Sequence, residues 1–211
     1  MRVKTEAKRD AILAAASQVF RDSGFEGASM GEIASRIGGS KATLYGYFGS
    51  KEELFVAAMH EEASKEFEPV FATLSNKVDN LQETLQACGE KVLEFLCSPD
   101  RIQTRRAIIA ESGRTDIGKR FYELGPKVGM QNIADFLDRQ MAQGNLRQSD
   151  PLLAAIQLSA LLECETVIPL TLGVEEKLSR PQIRQAVERA VKTFLAAYCV
   201  EAPIVGTHEG M

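Results

Sequence analysis

The fold of this chain is most tightly constrained over residues 29–51, SMGEIASRIGGSKATLYGYFGSK, where two short helical patterns meet at a glycine pair. Ser29, followed three residues later by Glu32, has the form of a capping box. Met30, Ile33, Ala34 and Ile37 fall at i, i+3, i+4 and i+7, the spacing of one apolar helix face. Gly38 and Gly39 permit the positive φ that ends a helix, and Ser40 is a good N-cap for the next. The pattern therefore predicts a short helix, a tight turn and a second short helix. Leu44 and Phe48, one turn apart, anchor the second helix inward. Its opposite side carries Ala42, Thr43 and Gly46, flanked by Lys41, Tyr45 and Tyr47.

Such a face suits the DNA major groove, which admits one helix whose side chains reach base edges while its flanks touch phosphate. Thr43 and Tyr45 offer hydroxyl and methyl contacts, and Lys41 can reach guanine or phosphate. Ala42 and Gly46 let the backbone come close. Lys51, in the first turn of a further helix capped by Ser50 with Glu53, is placed for a phosphate. A helical hairpin with a solvated face satisfies the same spacing, because one lysine is not a basic patch.

Residue identities go further than spacing. Gly38-x-Ser40-Lys41, followed by Thr43-Leu44-Tyr45-x-Tyr47-Phe48-x-x-Lys51-Glu52-x-Leu54, closely resembles the DNA-binding domain of the tetracycline-repressor (TetR) family of bacterial regulators, over residues 8–54. The resemblance implies an all-α fold of about nine helices: an N-terminal three-helix helix-turn-helix domain over residues 1–50 and a larger helical ligand-binding and dimerisation domain over 51–201. It implies a homodimer on double-stranded, palindromic operator DNA, acting as a repressor that a small hydrophobic or amphipathic effector releases. Ser29, Ser40, Lys41, Ala42, Thr43, Tyr45, Gly46, Tyr47 and Lys51 form the DNA-facing set. Gly46 departs from the larger side chain often found there, and glycine costs about 1 kcal/mol relative to alanine inside a helix.

Ahead of the motif, Ile12, Ala15, Ala16, Val19 and Phe20 form a helical stripe, Gly24 is a natural stop, and Phe25 can pack back beneath the hairpin. Arg2, Lys4, Lys8 and Arg9 make this end basic. Residues 1–51 carry a net +3 and residues 52–211 a net −7. An acidic body, with a whole-chain pI near 5.4, repels phosphate, so DNA contact is confined to one edge and sensitive to salt. No run approaches the eighteen or so apolar residues that cross a membrane, and no cleavable leader is evident, which points to a cytoplasmic protein without membrane partners. Cys88, Cys97, Cys164 and Cys199 are dispersed, with no C-x-x-C, and the only histidines are His60 and His208. Zinc sites, disulfide scaffolds and histidine triads are therefore not expected, nor is any metal or cofactor.

Downstream, the pattern predicts a long helix from Lys51 through Phe67, with Pro69 a point of bending. Further helices follow near 78–96, 100–114 and 128–143, with a broken stretch over 115–126. Asp150-Pro151 and Ser179 with Pro181 and Gln182 start two more, and residues 202–211 read as a flexible tail. The apolar stripe from Ile183 to Tyr198 lies beside an apolar helix over 152–162. By the family resemblance, Leu158, Leu161, Leu162, Val187, Val191, Phe194 and Tyr198 form a dimer interface, although the same stripe also suits a subunit core. Phe67, Phe71, Phe95, Phe121, Tyr122, Met130 and Phe136 are candidates to line an effector cavity, with Glu111, Glu163, Cys164 and Glu165 as polar anchors. Gly113–Lys119 nearly forms a P-loop, but Arg120 replaces the Ser or Thr that binds magnesium, so no enzyme is expected. A DNA-binding protein that senses nothing and a protein-interaction module are the alternatives.

Overall fold

A computed structural model describes residues 5–72, 74 and 79–200. These form eleven helices: α1 Glu6–Gly27, α2 Met30–Arg36, α3 Lys41–Tyr47, α4 Lys51–Ala72, α5 Leu81–Leu96, α6 Pro99–Glu111, α7 Ile117–Leu124, α8 Pro126–Ala142, α9 Pro151–Cys164, α10 Val167–Leu172 and α11 Arg180–Tyr198. Among the described residues there is no strand, only an isolated bridge between Leu146 and Cys199. No described helix is long and apolar enough to cross a membrane. Arg2, Lys4, Val78 and the expected tail at 202–211 lie outside the described residues.

The caps form where the sequence places them. The Ser29 hydroxyl accepts the Glu32 N–H, Ser40 accepts that of Thr43, and Asp150 accepts those of Leu152 and Leu153. Ser179 and Gln182 complete a reciprocal capping box. Two departures stand out. The stretch expected to be broken over 115–126 contains α7, and the short α10 has no counterpart in the sequence reading. The long helix α4 also continues past Pro69 to Ala72.

Packing falls into two clusters. One gathers α5, α8, α9 and α11 around Leu93, Phe136, Leu137, Val187, Val191 and Phe194. The other joins Ile12, Val19 and Phe20 of α1, Ile33 of α2 and Leu44 of α3 to Leu54–Met59 of α4, and also takes in Ile108 of α6 and Ile117 of α7. Two helices enter both, because Val70 of α4 and Ile102 of α6 belong to the first cluster. Packing does not divide at residue 50, where the sequence pattern changes.

The stripe on α11 is spent inside the subunit. Leu158, Leu162, Val187, Val191, Phe194 and Tyr198 are all buried in this single chain, and the half-buried Leu161 packs against the same core. Within the subunit the apolar faces of α9 and α11 meet each other, α5 and α8. What α9 presents outward is another row, Leu152, Leu153, Ile156 and Ala160. Phe194 is 1% exposed and stacks on Tyr198 with ring centroids 4.6 Å apart. Phe194→Ala should therefore lower unfolding stability by about 3–5 kcal/mol. Denaturant titration checks this; a folded monomer of undiminished stability would instead assign Phe194 to an intersubunit surface.

Candidate nucleic-acid interface

The α2–α3 hairpin is built by its turn. Gly38 takes φ +61°, a left-handed conformation that side chains disfavour. The Gly39 N–H donates to the Ala34 carbonyl and the Gly38 N–H to that of Ser35, which closes α2 in a Schellman motif. Gly24, at φ +68° and ψ 175°, breaks the helical path inside α1 and lets Phe25 fold back. Phe25 lies 5.0 Å from the Phe55 ring, and Phe20 meets Phe55 edge-on at 4.8 Å. α3 then rests on Leu44 and Phe48, both buried, and the guanidinium of Arg9 covers the Phe48 ring at 5.8 Å.

The opposite side of α3 faces outward. Lys41, Ala42, Tyr45 and Gly46 are exposed, Tyr45 by 52%, and Thr43 is half-buried with its hydroxyl 3.0 Å from that of Ser40. Ser29 and Ser40 are exposed but serve as N-caps of α2 and α3. The Lys41 side chain crosses Gly31, where a Cβ would stand 2.7 Å from the lysine Cε. Tyr47 is drawn inward: the Thr5 N–H donates to its phenol oxygen at 3.0 Å, joining the start of α1 to the end of α3. Lys51, at the start of α4, is held within the chain. Its ammonium donates to the carbonyls of Phe25 at 2.8 Å and Ala28 at 3.3 Å, and sits 4.3 Å above the Phe25 ring.

The residues expected around an effector do not form one site. Phe67 stacks on Phe71 at 5.5 Å and meets Phe95 edge-on at 4.3 Å, a trio between α4 and α5. Phe71 also approaches Gly129 of α8, beside Met130. Elsewhere, Glu111 pairs with Arg114 and Tyr122 is exposed. Phe121 packs against the α1–α4 cluster, and Phe136 is fully buried core. Glu163 has a cationic partner within the chain, Arg105 at 3.0 Å, and Glu165 has Arg189 at 2.9 Å. Cys164 is exposed and its thiol donates to the Leu161 carbonyl. Two clefts do open, of 310 Å³ between α1 and α4 and of 780 Å³ where α1, α4 and α6 meet. Neither is lined by any of these residues. Burial pushes the thiols of Cys88 and Cys97 up to about 11, so both stay protonated and weakly nucleophilic at neutral pH. The near P-loop follows α6 rather than a strand and runs into α7, with Arg120 paired to Asp116 at 2.8 Å.

A Cβ at Gly46 would meet nothing within 4 Å. Gly46→Ala should therefore stabilise the protein by about 0.5–1 kcal/mol, since it removes only the helix cost of glycine. A rise in thermal midpoint would check this, and a fall would mean that Gly46 holds a conformation alanine resists.

Residues 12–58 match the family described as bacterial regulatory proteins of the tetR family, and residues 83–200 match the C-terminal domain of AefR-like transcriptional repressors. The flavonoid-responsive regulator FrrA superposes with a TM-score of 0.73 at 34% identity, over 94% of this chain and 100% of its own. A candidate TetR-family regulator from Mesorhizobium loti superposes with a TM-score of 0.81 at 28% identity, over 93% and 100%. The HTH-type transcriptional activator FasR of Mycolicibacterium smegmatis is 38% identical over 95 residues, which make up 45% of this chain and 43% of FasR. The buried Leu44–Phe48 anchor, the exposed opposite face of α3 and these matches along the chain agree: the protein belongs to the TetR family of bacterial transcriptional regulators.

Proposed function

We propose that the protein is a homodimeric repressor whose α3 helices read a palindromic operator and which a small aromatic or amphipathic effector releases. The outward face of α3 carries the reading. It is polar, closely approachable at Ala42 and Gly46, and dominated by the exposed phenol of Tyr45. In a two-fold dimer the two α3 helices enter successive major grooves about 34 Å apart. The outer row of α9, Leu152, Leu153 and Ile156, is an apolar surface suited to the dimer contact. Repression is favoured by the match of residues 83–200 to AefR-like repressors.

The residues up to 50 serve DNA, and those from 51 serve effector and partner. FrrA is flavonoid-responsive by name, and the Phe67–Phe71–Phe95 trio offers aromatic faces to a planar effector. Effector binding in the body shifts α4 and α6, whose ends lie in the α1–α3 cluster, so effector and operator oppose each other through one linkage.

The test is a fluorescence-polarisation titration against a duplex that the protein itself enriches from a random library, beside a scrambled duplex, at two salt concentrations. Salt-sensitive preference for the enriched duplex is expected. Tyr45→Ala should narrow that preference by about tenfold and leave dimerisation unchanged. Equal loss on both duplexes would show that Tyr45 positions the helix without reading bases. Equal affinity of the unaltered protein for both duplexes would overturn operator recognition.

A further inference from the structure

The family resemblance places Lys51 at a phosphate, but its surroundings assign it another task. Its half-buried ammonium has the carbonyls of Phe25 and Ala28 on one side and the Phe25 ring beneath it. Phe25 lies in the single turn that follows the non-helical Gly24, and Ala28 is the extended C-cap of that turn, so the two carbonyls serve the ammonium as local acceptors. At the start of its own helix a lysine is disfavoured by the positive pole, and Glu52 and Glu53 occupy the rest of that turn. The lysine is thus drawn from α4 toward α1.

The geometry has a mechanical consequence. Ala28 is the residue before Ser29, the N-cap of α2, so whatever fixes the Ala28 carbonyl fixes the entry of the α2–α3 hairpin. Beside it Phe55 of α4 packs against Phe20 and Phe25, and the other polar tie between the two helices, Arg21 to Glu62, lies further from the entry of α2. Apolar packing is non-directional and allows sliding, whereas two hydrogen bonds and a cation–ring contact set a fixed register. We propose that Lys51 is a positioning residue: a clip that carries the orientation of α4 to the recognition hairpin, and that acts on operator choice without contacting phosphate.

This inference rests on operator recognition by α3, and its test separates the two. Lys51→Met keeps the length and apolar stem and removes the ammonium. It is compared with the unaltered protein on the enriched and scrambled duplexes across a range of salt concentrations, at temperatures well below unfolding. The clip predicts about tenfold weaker binding to the enriched duplex, little change on the scrambled one, and an unchanged slope of log affinity against log salt.

A phosphate contact predicts equal loss on both duplexes and a slope shallower by about 0.9, and that result would overturn the proposal. A lower thermal midpoint with both affinities intact would also overturn it, because the lysine would then only stabilise the fold. Should Lys51→Met not fold, Phe25→Leu removes the ring beneath the ammonium while leaving every α3 side chain in place. The clip predicts the same selective loss at unchanged slope, and unaltered affinity and selectivity would overturn it. If the unaltered protein shows no preference between the duplexes, operator recognition has failed, and the clip fails with it.

Discussion

The pose of the recognition hairpin depends on a hydrophobic cluster that no contiguous part of the chain builds alone. Ile12, Val19, Phe20, Ile33 and Leu44 come from the first three helices, Leu54–Met59 from the start of α4, and Ile108 and Ile117 from α6 and α7. Ile117 is 0% exposed, so the cluster closes only when the later segment arrives. A three-helix unit of this size buries little apolar surface by itself, and borrowing Ile108 and Ile117 enlarges its core. The same borrowing makes the hairpin sensitive to the body, because α4 and α6 each reach from one cluster to the other. Two rigid helices bridging two packed cores can hold a small number of relative poses, which is what an operator-and-effector switch requires.

Polar contacts refine that pose at the edges. The Thr5 N–H on the Tyr47 phenol oxygen ties the two ends of the first three helices, and the Lys8 ammonium reaches the Ile37 carbonyl at 3.4 Å. Arg106 donates to the carbonyls of Leu170 and Thr171, which fastens α10 to α6. None of these contacts lies on the outward face of α3. The face that would meet DNA is left to Lys41, Ala42, Thr43, Tyr45 and Gly46, with the supporting work done behind it.

Much of this was legible because it is local. The capping serines, the Gly38 turn and the Leu44–Phe48 anchor follow from neighbours within four residues, and the structure forms each of them. What escaped is tertiary. α7 carries Gly118, which reads as a breaker, yet a Cβ there would stand 2.3 Å from the Ser112 hydroxyl, so the glycine serves close approach. α10 is short, contains Pro169 and has no side-chain cap; its last carbonyls are satisfied by Arg106, more than sixty residues away. The α11 stripe was visible as apolar but not as facing inward, since periodicity fixes which residues share a face and not what that face meets. For Lys51 the motif was plain, but its partners are backbone carbonyls of residues 25 and 28, which sequence does not mark.

The dependence of the hairpin on α7 is tested most directly by hydrogen exchange, followed by mass spectrometry, on the unaltered protein and on Ile117→Ala. If the cluster is one cooperative unit, removing this buried side chain should speed exchange in peptides from α1, α2 and α3 together with α7, while α8, α9 and α11 keep their protection. Faster exchange confined to α7, with α1–α3 unchanged, would mean that the hairpin stands on its own core and contradict the account.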